Sequence, residues 1–175
     1  MQVRIEHQTL TPALEYLAGR LKDLEAASTV IVCIGNDLKG DDAAGPLLYE
    51  ALRGRVAAQL INAATVPENY IQTIIRKAPR AVIVVDAADF NAPPGEIAVL
   101  DPADIKGPTT STHILCPATF INMIRAEIAI DTLFIAIQPK STQLAQPPGP
   151  QVAAAIQSLA AVILTALGVN IPPGD

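Results

Sequence analysis

Apolar residues fall into two patterns along this chain. Residues 30–34 (VIVCI), 81–85 (AVIVV) and 133–138 (LFIAIQ) are nearly continuous apolar runs rich in β-branched side chains. Runs without alternation suit parallel strands covered on both faces. Elsewhere apolar positions recur at helical spacing. Leu14, Leu17, Leu21 and Leu24 predict an amphipathic helix that Thr11 caps and Pro12 opens. The spacing predicts further helices over 43–54, from Pro67 to before Pro79, over 117–130 and over 151–167. A weaker strand is expected at 57–61. The turn Asn91-Ala92-Pro93-Pro94-Gly95, followed by residues 96–100, predicts a hairpin-like excursion with an antiparallel edge. Strands alternating with helices predict a three-layer α/β/α sandwich around a mostly parallel, mixed five-stranded sheet.

Composition narrows the class. A chain of 175 residues is long enough for one domain with a real core. Residues 1–28 read as an N-terminal lead-in carrying the first helix, 29–175 as a single α/β domain, and 171–175 as a tail expected to fray. With 50% hydrophobic and 17% charged residues the chain reads as globular rather than disordered. A net charge of −5, 3% aromatics and no basic patch argue against nucleic acid as a partner. No apolar run approaches the roughly 20 residues of a membrane helix and no signal peptide precedes the domain. No membrane insertion and a cytoplasmic location are therefore expected. Cys33 and Cys116 form no CxxC and read as reduced, buried thiols.

Candidate chemistry gathers after the first apolar run. The stretch TVIVCIGNDLKGDDAAG, residues 29–45, carries a strand into a tight loop at Gly35, Asn36 and Asp37, then places Asp41 and Asp42 ahead of a helix. Open α/β sheets bind their ligands just beyond the carboxyl ends of central strands. Asp86 closes the second run in the same way, and the polar loop 107–112 delivers His113. If the first and third strands are neighbours, Asp42, Asp86 and His113 form a divalent-metal site with open positions, acceptable to nickel, zinc, iron or manganese. Alternatively the two carboxylates serve acid–base chemistry, one as a base beside a neutral acid.

Plainer roles compete for each residue. Asp41 caps the following helix on one reading, with Asp42 favouring its positive end, together worth about 1–2 kcal/mol. Asp86 would then bond a neighbouring turn, His113 the backbone, and His7 only water. The loop lacks GxGxxG and GxxxxGK[ST], which disfavours a nucleotide site. No Ser/His/Asp or Cys/His arrangement is evident, so no acyl-enzyme is expected.

Four ordered segments carry a resemblance. They are Ile34-Gly35-Asn36 with Gly40-Asp41-Asp42 and Gly45-Pro46-Leu47-Leu48; Pro67-Glu68-Asn69; Val85-Asp86-Ala87-Ala88-Asp89 with Pro94-Gly95-Glu96-Ile97; and Thr112-His113 with Ile137-Gln138-Pro139. In this order they resemble the [NiFe]-hydrogenase maturation endopeptidases, and within them the branch that processes the hydrogenase-3 type of large subunit. The resemblance implies the same sandwich fold, and an endopeptidase that removes the C-terminal extension of a hydrogenase large-subunit precursor after nickel insertion. It implies Asp42, Asp86 and His113 as metal-binding positions, contacting nickel that the precursor carries in, so that the isolated enzyme is metal-free. Asp42 or Asp41 would act as general base in an aspartic-type hydrolysis, and Gly35 and Asn36 would hold an oxyanion or the substrate chain. Nickel could also polarise the scissile carbonyl or position a water. A noncatalytic metal- or small-molecule-binding maturation factor on the same fold is the alternative. Two departures stand out: Ala43-Ala44 and Ala63-Ala64 replace glycines usual in this branch, narrowing the backbone's range there.

Overall fold

The continuous apolar runs are the central strands of a five-stranded sheet ordered β2-β1-β3-β5-β4. The computed structural model of the chain describes residues 11–101 and 116–169. Strands β1 (Thr29–Ile34), β3 (Ala81–Ala87) and β5 (Asp131–Ile137) lie inside, and β2 (Gln59–Ala64) and β4 (Ile97–Leu100) form the edges. Every pairing is parallel except β4 on β5, which is the antiparallel edge expected after Pro94-Gly95. The sandwich expected from the sequence is the fold observed.

The runs lack alternation because helices cover both faces. Ile31, Cys33, Ile83, Val85, Leu133, Ile135 and Ile137 face one core with α1 (Pro12–Lys22), α2 (Ala44–Leu52) and α5 (Pro150–Leu167). The intervening residues Val30, Val32, Ile34, Val82, Val84, Phe134 and Ala136 face a second core with α3 (Ile71–Lys77) and α4 (Pro117–Arg125). Strand period and two-sided burial thus give each successive side chain its own core. Helix α5 is long and apolar enough to cross a membrane by length and composition, yet Val152, Ile156, Leu159 and Ile163 sit in the first core.

Element boundaries moved where tertiary bonds intervened. Strand β2 begins and ends later than expected, because Ala57 N–H bonds Leu167 at the end of α5 and Ala64 C=O accepts from Gly35. The segment opening at Pro67 starts as a 3-10 turn, Pro67–Tyr70, before α3. Helix α4 stops at Arg125, short of residue 130. The N-terminal helix expected as a lead-in is part of the first core, with Leu14, Leu17 and Leu21 buried, and Arg20 pairs with Asp131 at 2.9 Å. His7, the loop 107–112 with His113, and the tail 171–175 lie outside the described residues.

Candidate active site

The chain leaves β1 for β2 on one side and later returns as β3 on the other, so the gap between β1 and β3 is the point where the winding reverses. Ligand crevices of open α/β sheets form outside the carboxyl ends at such a point. The two strands run in register from Thr29↔Ala81 to Cys33↔Val85, which puts Asp86 one residue beyond the last pair. After β1 the chain forms the 3-10 turn Gly40–Ala43, against the carboxyl end of β3, and enters α2. Asp42 stands in this turn. The neighbouring of the first and third strands is what brings the two acids to one rim.

Glycine makes the turn fold this closely. Gly35 has φ 144°, and a Cβ there would stand 2.0 Å from the carbonyl oxygen of Asp42. Gly45, in the first turn of α2, would place a Cβ 2.0 Å from the carbonyl oxygen of Ile34. Backbone therefore packs on backbone between β1 and α2, and any side chain would hold Asp42 away from the strand end.

Electrostatics at the rim follow from that proximity. Asp42 is half-buried, and its Oδ2 accepts from Asn36 N–H at 3.1 Å. Burial raises its pKa, against the opposing pull of that hydrogen bond and of Lys39. Asp86 is raised well above the ordinary carboxylate value, chiefly by desolvation and then by the charge on Asp42, with the Ala87 N–H opposing. Two carboxylates that resist joint ionisation are a donor pair a divalent cation would relieve. That chemistry fits the metal role expected of Asp42 and Asp86. The third expected ligand, His113, lies outside the described residues, and among those residues no group of three metal-ligating side chains occurs.

Asp41 has another occupation. It is 2% exposed, and it caps neither the 3-10 turn nor α2. Its Oδ2 accepts from Lys140 N–H at 2.7 Å and Ser141 N–H at 3.1 Å, and its Oδ1 from Gly149 N–H at 2.6 Å. The capping expectation is corrected: this carboxylate fastens the loop between β5 and α5 to the loop after β1. Expected backbone donors to an oxyanion are corrected likewise. Gly35 N–H is spent on Ala64 C=O at 2.9 Å, and Asn36 N–H on Asp42 C=O at 3.0 Å as well as on its carboxylate. Both residues instead line a cleft of about 220 Å³ with Asp37, Pro46, Asn62, Ala64 and Thr65, beside the carboxyl ends of β1 and β2.

The alanine departures fall differently. Ala43 and Ala44 are ordinary helical residues, whereas Ala64 sits at φ 47°, in the left-handed region that favours glycine. Gln138, within the segment Ile137-Gln138-Pro139, has a structural role of its own. It is buried, its Oε1 accepts from Phe90 and Ala92 N–H, and its Nε2 donates to Asp89 and to Pro139 C=O. It thereby shapes the loop that follows Asp86. An amide closing an otherwise apolar strand was the available signal. Cys33 is core, as expected, and burial pushes its thiol up to about 12.

Comparison with known proteins agrees with this fold. Residues 44–166 match the family described as HycI, hydrogenase maturation protease. The hydrogenase 3 maturation protease of Escherichia coli K12 is 32% identical over 113 residues, 63% of this chain and 72% of that protein. The crystal structure of a [NiFe] hydrogenase maturation protease HycI from Thermococcus kodakarensis superposes with a TM-score of 0.78 at 32% identity, covering 87% of this chain and 98% of that one. The solution structure of an endopeptidase HycI from Escherichia coli gives 0.69 at 31% identity, over 76% of this chain and 86% of that one.

Proposed function

The chain belongs to the hydrogenase maturation protease family, and from that premise we propose that it removes the C-terminal extension of a [NiFe]-hydrogenase large-subunit precursor once nickel is in place. The observation that carries the nickel part is the Asp42–Asp86 pair at the winding reversal, where each carboxyl's burial and the charge of one on the other disfavour double ionisation. A divalent ion arriving in the substrate relieves both penalties, so binding energy is released only when the precursor is loaded. Asp42 and Asp86, with His113 as the third donor, are the residues that meet this ion. The ion is a feature of the substrate, and the free protein carries none.

Hydrolysis is assigned to a water and the carboxylate of Asp42. The water oxygen adds to the scissile carbonyl carbon while Asp42 takes one of its protons. That proton then passes to the leaving amine as the carbon–nitrogen bond breaks. The Asn36 N–H on Oδ2 fixes the plane of the carboxylate, leaving Oδ1 for the water. Asp41 is a positioning residue here, since both of its oxygens hold backbone N–H groups. The cleft walled by Gly35, Asn36 and Asn62 receives the substrate chain next to the cut.

Incubation of the protein with nickel-loaded and nickel-free precursor tests the reading. Cleavage of the loaded form alone is expected. Equal cleavage of both removes nickel recognition from the proposal, and cleavage of neither removes the substrate.

A further inference from the structure

The loop after β1 and the loop before α5 together carry a surface that the cut site does not use. Leu38 is 63% exposed and Leu144 is 68% exposed, the two most exposed large apolar side chains among the described residues. They lie far apart in sequence, yet Ala145 N–H donates to Leu38 C=O at 2.8 Å, which joins the two loop segments that carry them. Around them the loops are fastened repeatedly. Gly40 N–H reaches Gln146 C=O at 3.0 Å, Asp41 N–H reaches Ser141 C=O at 2.9 Å, and the buried Asp41 carboxylate takes its donors from Lys140, Ser141 and Gly149. Leu38 N–H is itself held by Asn36 Oδ1 at 2.9 Å.

Exposed leucines on free loops mean little, because they can fold back. The backbone that carries these two is fixed by a buried carboxylate and a set of interloop hydrogen bonds, so neither loop is free to fold its leucine away. The platform is continuous with the active-site rim, since the same loop carries Leu38 and Asp42, and Asn36 and Asp37 belong to both the loop and the cleft. A macromolecule seated at Asp42 and the cleft therefore has this loop as its immediate neighbour.

We propose that Leu38 and Leu144 form a docking platform for an apolar patch on the folded body of the hydrogenase precursor, away from the segment that is cut. This rests on the precursor being the substrate. Recognition is thus divided between the acids at the rim and an apolar anchor that positions the precursor before cleavage. Asp37 and Lys39, both exposed, edge the platform with one charge of each sign. The complementary patch therefore has an apolar centre and a mixed polar border.

The test is the double variant Leu38→Asn, Leu144→Asn with purified nickel-loaded precursor, read by cleavage kinetics and, separately, by binding to immobilised precursor. Both substitutions are on exposed side chains, and circular dichroism should match the wild type. A KM raised about 10- to 100-fold, with kcat within a factor of two, is the expected result. An unchanged KM overturns the proposal, as does a wild-type dimer in sedimentation that the variant dissolves, which would give the surface to a second copy of this chain. Failure of the wild type to cleave would reject the functional reading alone. Binding then decides the platform: capture by the wild type and loss in the variant supports it, and no capture by the wild type overturns it.

Discussion

Replacing Asp41 by alanine removes the acceptor for three backbone N–H groups, those of Lys140, Ser141 and Gly149. A buried donor left without a partner costs about 1–3 kcal/mol, and bonds to a charged acceptor lie at the upper end. These donors belong to loops at the protein's edge, where water can reach some of them once the side chain is gone. The expected loss is therefore about 3–5 kcal/mol rather than the full sum, a large share of the roughly 5–15 kcal/mol that holds a domain together. Asp41→Asn keeps one acceptor oxygen and turns an N–H₂ toward the remaining donors, so about 1–3 kcal/mol is expected. Urea unfolding measures both. With a slope of about 2 kcal/mol/M, alanine should lower the midpoint by about 2 M and asparagine by about 1 M. Precursor cleavage should fall in both, because the loop carrying Asp42 loses its anchor. A midpoint unchanged in Asp41→Ala, with cleavage abolished, would refute the reasoning and return Asp41 to the chemistry itself.

Asp86→Asn should raise the melting temperature in chelator-treated buffer at neutral pH while abolishing processing. Its folded pKa is raised, so the native state binds more protons than the unfolded one above the ordinary value of 3.8, and wild-type stability falls as pH rises from there. Melting curves from pH 4 to 8 should show the gap between variant and wild type opening upward, and a constant gap would contradict this. Gly45→Ala should destabilise by about 3 kcal/mol or more, since its Cβ would stand 2.0 Å from Ile34 C=O, whereas Gly19→Ala, with open space around it in α1, should be neutral or stabilising. Urea midpoints for the pair check the contrast. Ala64→Gly should stabilise by about 0.5 kcal/mol, because relief of the left-handed strain exceeds the added freedom of the unfolded chain. A lower urea midpoint for that variant would show that Ala64 is not strained.

Much of the site was legible because its signals are local. An acid directly after a β-branched apolar run marks the end of a buried strand, and Asp86 stands in that place, whereas Asp42 follows Ile34 by eight residues, in the turn before α2. Gly35 and Gly45 were visible as residues, but the reason for each is a backbone oxygen that only folding brings within 2.0 Å. In sequence Asp41 is indistinguishable from its neighbour Asp42. What distinguishes it is a set of donors about a hundred positions onward in the chain, at Lys140, Ser141 and Gly149, and no window of sequence contains both ends. Asn36 and Gly35 offered N–H groups that the loop had already consumed.

Pattern alone determined the layers and a mostly parallel sheet, since periodicity is a property of neighbouring residues, whereas the pairing of β1 with β3 that gives Asp42 and Asp86 a common rim came from the tertiary structure. Which acid stays partly exposed at the rim, which one ties two loops together, and which leucines remain uncovered were decided only by tertiary structure. Those outcomes depend on hydrogen bonds closed between segments distant in the chain, whose partners exist only after the sheet has brought its carboxyl ends to one side.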